Sequence, residues 1–161
     1  MAIAYVQPEF EVQRNEARCI ACRVCERQCA NEVHRFDEER GIVKLFTPPF
    51  TQKIPRAGYI NDYPAGVREN GGQYTHAAVW FLTALKKEGM DTEAQKVLHA
   101  LLPNEKYRSP NGEAVYKTEP YALCGDVYAA PGQEGRGGWS LYTGAAGWLL
   151  QYLAPHTGSR Q

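Results

Sequence analysis

The sequence predicts a mainly α protein built of αα-hairpins, preceded by a small cysteine loop with short strands. Three observations predict it. Apolar residues recur at helical period through "YTHAAVWFLTALKKEG" (74–89) and again through "TEAQKVLHALLP" (92–103), with only a short link between them. Segments 118–130 and 141–155 repeat that rhythm between loops rich in glycine and proline. Finally, "CIACRVCERQC" places four cysteines, Cys19, Cys22, Cys25 and Cys29, in a polar stretch that has no helical period.

Taken in order, residues 1–42 are polar and charged. "FEVQR" and "HRFDEERGIVK" alternate as short strands do, on either side of the cysteine run. From residue 43 to 161 the chain becomes helical segments punctuated by turns, so the domains expected are 1–42 and 43–161. In the first helix Ala77, Trp80, Phe81 and Leu85 are expected on one face, with lysines in the last turn and Gly89 as the stop. Asp91 is the expected N-cap of the second helix, whose stripe is Ala94, Val97, Leu98, Leu101 and Leu102, and Pro103 ends it. A third helix is expected over "TEPYALCGDVYAA", with Pro120 in its first turn, and a fourth over "LYTGAAGWLLQYLAP". The intervening loops, "DYPAGVRENGGQ", "NEKYRSPNGEAVYK" and "PGQEGRGG", are the places to expect a site.

Composition excludes some classes. Among 161 residues, 18 lysines and arginines balance 18 aspartates and glutamates, which removes the electrostatic footprint of a nucleic-acid binder. No apolar run approaches the ~18 residues of a membrane span. The N-terminus has neither the basic start nor the apolar core of a signal peptide, so a cytoplasmic location is expected, where thiols stay reduced. A disulfide knot therefore loses most of its weight as a reading of the cysteine run.

The spacing C-x2-C-x2-C-x3-C is that of a loop wrapped around a 4Fe–4S cluster. Zinc sites use two separated C-x2-C knuckles; a second knuckle is missing here and His34 is a weak substitute. The run also resembles, over roughly residues 8–43, the ferredoxin-like segment of glutamate-synthase-type proteins. That resemblance implies Cys19, Cys22 and Cys25 as ligands of one cluster. The sequence departs from it in two ways. Ala30 replaces the usual proline, and the second cysteine run that would complete each cluster is absent, Cys124 being the only other cysteine. A cluster here is expected to be labile.

In the second half, "GRGGW" and "TGAAGW" bring backbone N–H groups, a threonine and an arginine near a helix start, which suits an oxyanion. Its many tyrosines and tryptophans suit a cleft that stacks sugar rings. Taken on the residues alone, tight packing by the glycines and a core of aromatics is the simpler explanation. The ordered motifs "YPAGVRENGGQYTHAA", "EPY" and "GRGGWSLYTGAAGW" resemble, from about residue 43 to 153, the C-terminal part of the glycoside hydrolase family 94 catalytic domain. That family holds cellobiose and chitobiose phosphorylases and the phosphorylase-like region of cyclic β-1,2-glucan synthases.

The resemblance implies part of an (α/α)6 barrel and inverting phosphorolysis with inorganic phosphate as co-substrate. His76, Thr143 and Gly144 would hold the phosphate, and Arg68, Glu69 and Tyr74 would line the sugar site. The family's general-acid motif does not occur here. Asp62 and Asp126 are the nearest spare carboxylates, and neither sits in that motif. The expectation is thus a chimeric or truncated phosphorylase-like protein that binds phosphate or a β-glucan with little or no turnover. An iron–sulfur electron-transfer protein with a helical appendage, and an inactive helical interaction or designed protein, are the alternatives. Helices cut from a barrel leave apolar faces open, so a homo-oligomer, or a partner supplying the rest of the barrel, is expected.

Overall fold

A computed structural model of the chain describes residues 34–51, 58–141 and 143–154. The cysteine run Cys19–Cys29 lies outside the described residues. The first elements are an antiparallel hairpin, β1 (His34–Asp37) and β2 (Ile42–Leu45), in which Asp37 faces Ile42 and Phe36 faces Val43. Its turn is pinned by the Asp37 carboxylate, which accepts from the Arg40 N–H at 3.1 Å and pairs with Lys44 at 2.7 Å. Gly41 adopts φ +60°, the left-handed conformation that closes the turn.

A 3-10 turn (Gly58–Asp62) leads to β3 (Gln73–Tyr74), which runs straight into α1 (Thr75–Lys87). Short helices follow: α2 (Asp91–Leu101), α3 (Pro103–Arg108) and α4 (Gly112–Tyr116). The chain then returns as β4 (Asp126–Val127), antiparallel to β3, and β5 (Gly137–Gly138), antiparallel to β4, in the order β3-β4-β5, and continues into α5 (Thr143–Leu153).

The α1–α2 hairpin forms as its period predicts. Its link is a Schellman cap: Gly89, at φ +74°, donates to the Lys86 carbonyl, and Met90 donates to the Leu85 carbonyl. Val79, Leu82 and Leu85 of α1 meet Ala94, Val97 and Leu101 of α2, with Val43 of β2 and Ala145 and Leu149 of α5 completing one core. Each fully buried leucine or valine contributes about 1.5–3 kcal/mol. A smaller cluster, Ile42, Tyr116, Cys124 and Val127, lies beside it, with the Tyr116 hydroxyl 3.2 Å from the Cys124 sulfur.

Five expectations are corrected. Trp80 is exposed, 49% of its surface open, because α1 turns its small residues Ala77 and Ala78 and its branched Val79 and Leu82 inward between α2 and α5. Asp91 is not the cap but the first residue of α2; Met90 holds the N-cap position without a side-chain bond. The helix expected over 118–130 does not form: Gly125 donates to Trp139 and accepts from Thr75, so cross-strand bonds replace helical ones. Cys124 is accordingly buried in a strand approach, not in a helix. Conversely, the loop "NEKYRSPNGEAVYK" holds α3 and α4, with Pro103 at the first turn of α3. No helix among the described residues is long and apolar enough to cross a membrane.

Candidate functional site

The site grows from the turn between the 3-10 segment and α1. Asn70 and Gln73, both buried, are its internal staples. Asn70 accepts from the Phe50 N–H at 2.6 Å and donates to the carbonyls of Phe50 at 3.1 Å and Tyr63 at 2.8 Å. Gln73 accepts from the Val43 N–H at 3.0 Å and donates to the Thr75 hydroxyl at 3.3 Å. Buried amides satisfied on several sides fix a loop as firmly as a strand pair does. Gly66, at φ +83°, lies so close to the backbone of Ala130 that a Cβ there would sit 2.3 Å from its nitrogen.

That scaffold holds Arg68 in a left-handed backbone, φ +47°, a conformation that costs a non-glycine residue about 1 kcal/mol or more. Its guanidinium is caged by three rings, with its carbon 5.0 Å from the centroid of Trp139, 5.3 Å from Tyr74 and 5.5 Å from Tyr63. Trp139 is itself left-handed, φ +54°. Arg68 Nε lies 3.6 Å from Glu69 Oε2, an ion pair in which neither atom has a hydrogen-bond partner among the described residues. Tyr74 also connects this cage to His76, their ring centroids 6.0 Å apart.

His76 stands in the first turn of α1, edge-on to Trp80 at 4.9 Å and near Trp148 at 6.1 Å. Its Nε2 is buried and has no partner among the described residues. Gly144, in the first turn of α5, packs against this ring: the place where a Cβ would project is 3.4 Å from both Cε1 and Nδ1 of His76. Thr143, exposed, opens the same helix. Distant parts of the chain thus converge on an imidazole, a hydroxyl and the free N–H groups of an 11-residue helix, a set able to receive an oxyanion.

The spare carboxylates separate. Asp62 is exposed at the end of the 3-10 turn, whereas Asp126 is wholly buried in β4. Desolvation by burial pushes Asp126 up to about 6, against the pull of Arg68 and with the repulsion of Glu69. Among the described residues, no group of three or more His, Cys, Asp or Glu side chains is arranged to hold a metal ion. Sequence reasoning missed the roles of Asn70 and Gln73. Two uncharged amides flanking the glycine pair Gly71–Gly72 were the available signal.

Comparison with known proteins adds a family. The profile described as "Glycosyl hydrolase 94 superfamily, catalytic domain" matches residues 26–156. The cyclic beta-(1,2)-glucan synthase NdvB of Rhizobium meliloti (strain 1021) is 46% identical over 115 residues, 71% of this chain and 4% of that protein. The 3-O-beta-D-glucopyranosyl-beta-D-glucuronide phosphorylase of Paenibacillus borealis is 29% identical over 125 residues, 76% of this chain and 16% of its own. An archaeal glutamate synthase (NADPH) from Archaeoglobus fulgidus is 50% identical over 40 residues, 25% of this chain and 8% of its own. The chain therefore spans only a small part of each relative.

Proposed function

This chain belongs to the glycosyl hydrolase 94 superfamily, and on that premise we propose that its cleft binds phosphate beside a β-linked glucose unit, with little or no turnover. The observation that carries the reading is the packing of Gly144 against the His76 ring, with Thr143 next to it. An imidazole, a hydroxyl and helix-terminal N–H groups together suit an anion with several acceptor oxygens. Arg68, Glu69 and Tyr74 form the sugar side: a caged guanidinium and a carboxylate offer donors and acceptors to ring hydroxyls, and the aromatic walls offer apolar faces. The names of the two carbohydrate-active relatives, a β-1,2-glucan synthase and a glucoside phosphorylase, support both ligands.

Turnover is limited on this reading because, among the described residues, Glu69 is paired with Arg68 and the two carboxylates singled out from the sequence stand apart from the pair. Asp62 is exposed outside the cage and Asp126 is enclosed behind it. Without a proton donor, direct displacement by phosphate forfeits about 10²- to 10⁴-fold in rate. Association with a second copy, or with the remainder of a helical barrel, covers the apolar groove between α5 and the 120–123 segment, where Tyr121, Leu150 and Leu153 are exposed.

Calorimetry with sulfate and phosphate tests the reading. Millimolar binding, about 4 kcal/mol, is expected. His76→Ala abolishes it and Cys25→Ala leaves it unchanged. Phosphorolysis of sophorose, a β-1,2-linked glucose disaccharide, stays undetectable; release of glucose 1-phosphate by the pure chain overturns the lack of turnover.

A second reading concerns the N-terminal cysteine run alone. The cysteine spacing and the 40-residue similarity to a glutamate synthase support a 4Fe–4S cluster on Cys19, Cys22, Cys25 and Cys29. Iron and sulfide analysis of anaerobically purified protein tests it, and protein without iron after reconstitution refutes it.

A further inference from the structure

Behind the Arg68–Glu69 pair lies a buried carboxyl that the proposed binding reaction leaves without a part. Asp126 occupies the central strand, paired with Tyr74 of β3 on one side and Gly138 of β5 on the other. Its side chain is fully enclosed, and neither carboxylate oxygen has a hydrogen-bond partner among the described residues. A Cβ on Gly138 would lie 2.8 Å from Asp126 Oδ1 and 2.7 Å from the Tyr128 hydroxyl, so glycine at that position is what makes room for both. The groups around it are Arg68 and Glu69 from the turn, Tyr74 from β3, and Cys124 and Tyr128 from its own segment. Of these, burial pushes the Cys124 thiol up, away from its charged form.

The charge balance therefore concerns one cation and two carboxyls. With Asp126 protonated, Arg68 and Glu69 neutralise one another. With Asp126 ionised, two carboxylates compete for one largely buried guanidinium, and the cluster holds a net negative charge. We infer that Asp126 is a positioning residue whose proton sets the alignment of Arg68 with Glu69, and through it the affinity of the cleft for a neutral sugar. The inference rests on the sugar site proposed above. Fully enclosed, Asp126 touches no ligand and acts only through the pair in front of it. Its raised pKa places the change in the mildly acidic range.

Two measurements on the whole chain test this. In the ligand-free protein, the carboxyl carbon of Asp126 is followed by NMR from pH 4 to pH 8. Its midpoint falls in Glu69→Gln, which removes a negative neighbour, and rises in Arg68→Gln, which removes the cation. A midpoint indifferent to both substitutions overturns the coupling, whether or not any sugar binds. Sophorose is then titrated calorimetrically across the same range. Affinity weakens about three- to tenfold as pH rises through the Asp126 midpoint. In Asp126→Asn that step disappears and affinity stays near the low-pH value. A step of equal size in Asp126→Asn assigns the titration elsewhere and overturns the role. The coupling seen by NMR without sophorose binding at any pH refutes the sugar site and the positioning role with it. Should Asp126→Asn fail to fold, the unaltered protein still decides: bound sophorose must raise the Asp126 midpoint, and an unmoved midpoint overturns the inference.

Discussion

Between α1 and α2 the buried groups are Val79, Leu82, Leu85, Ala94, Val97 and Leu101, hydrocarbon against hydrocarbon. Around the Arg68–His76 cluster the buried groups are instead a guanidinium nitrogen, carboxylate oxygens from Glu69 and Asp126, and an imidazole nitrogen without partners among the described residues. Two of the residues framing the cleft, Arg68 and Trp139, also hold left-handed backbones without being glycine. The hairpin carries the stability that the cleft spends. Strain and unsatisfied polar atoms persist only where a well-packed neighbour over-determines them, and they mark groups that a ligand can complete.

The comparison can be broken at its strong side. Leu82, fully buried, meets both α2 and α5, so Leu82→Ala destabilises by about 2–5 kcal/mol in urea unfolding. If the hairpin holds the cleft together, His76 loses its ordered ring environment in step with global unfolding. Retention of sulfate binding after the hairpin has melted would separate the two regions.

It can be sharpened at its weak side through Asp126. A carboxyl whose folded-state pKa is raised to about 6 from 3.8 binds its proton more tightly when folded. Its contribution is therefore most favourable below pH ~4, declines as pH rises through 6, and is constant above that, a loss of roughly 2–3 kcal/mol. Asp126→Asn removes this dependence, so the variant gains on the parent chain at pH 7.5 relative to pH 4.5. Urea midpoints at both values measure it, and an identical difference at the two would contradict the raised pKa.

The smallest effect belongs to the link. At Gly89 a Cβ meets nothing within 4 Å, so only the left-handed backbone opposes Gly89→Ala, at about 1 kcal/mol. A thermal shift of that order, with sulfate binding intact, fits a hairpin and a cleft that share stability and not chemistry.

What the sequence revealed follows the same divide. The hairpin was legible because its signals are local: helical period, a glycine stop and a proline after the second helix. Trp80 was misassigned because the largest apolar side chain outweighed Ala78 and Val79, whose small size lets α1 pack on two sides. The β3-β4-β5 sheet was missed because strands of two residues have no period to read; Gly125 and Gly138 matter through partners distant in sequence. In the cleft, family motifs pointed to His76 and Gly144, and their contact lies on the page of the fold. The cage around Arg68 was not legible, since it needs Tyr63, Tyr74 and Trp139 brought from separate segments.

The placement of the indoles has an optical consequence. The chain has 3 tryptophans, and all stand at the cleft: Trp139 over Arg68, and Trp80 and Trp148 edge-on to each other at 5.8 Å, with His76 against both. Intrinsic fluorescence of this protein is thus a local signal and not a global one. The perpendicular Trp80–Trp148 transitions couple into a near-ultraviolet circular-dichroism band. On the proposed reading, an anion or sugar bound beside His76 and Arg68 would change the tryptophan emission of the molecule, so the proposed site carries its own unlabelled reporter.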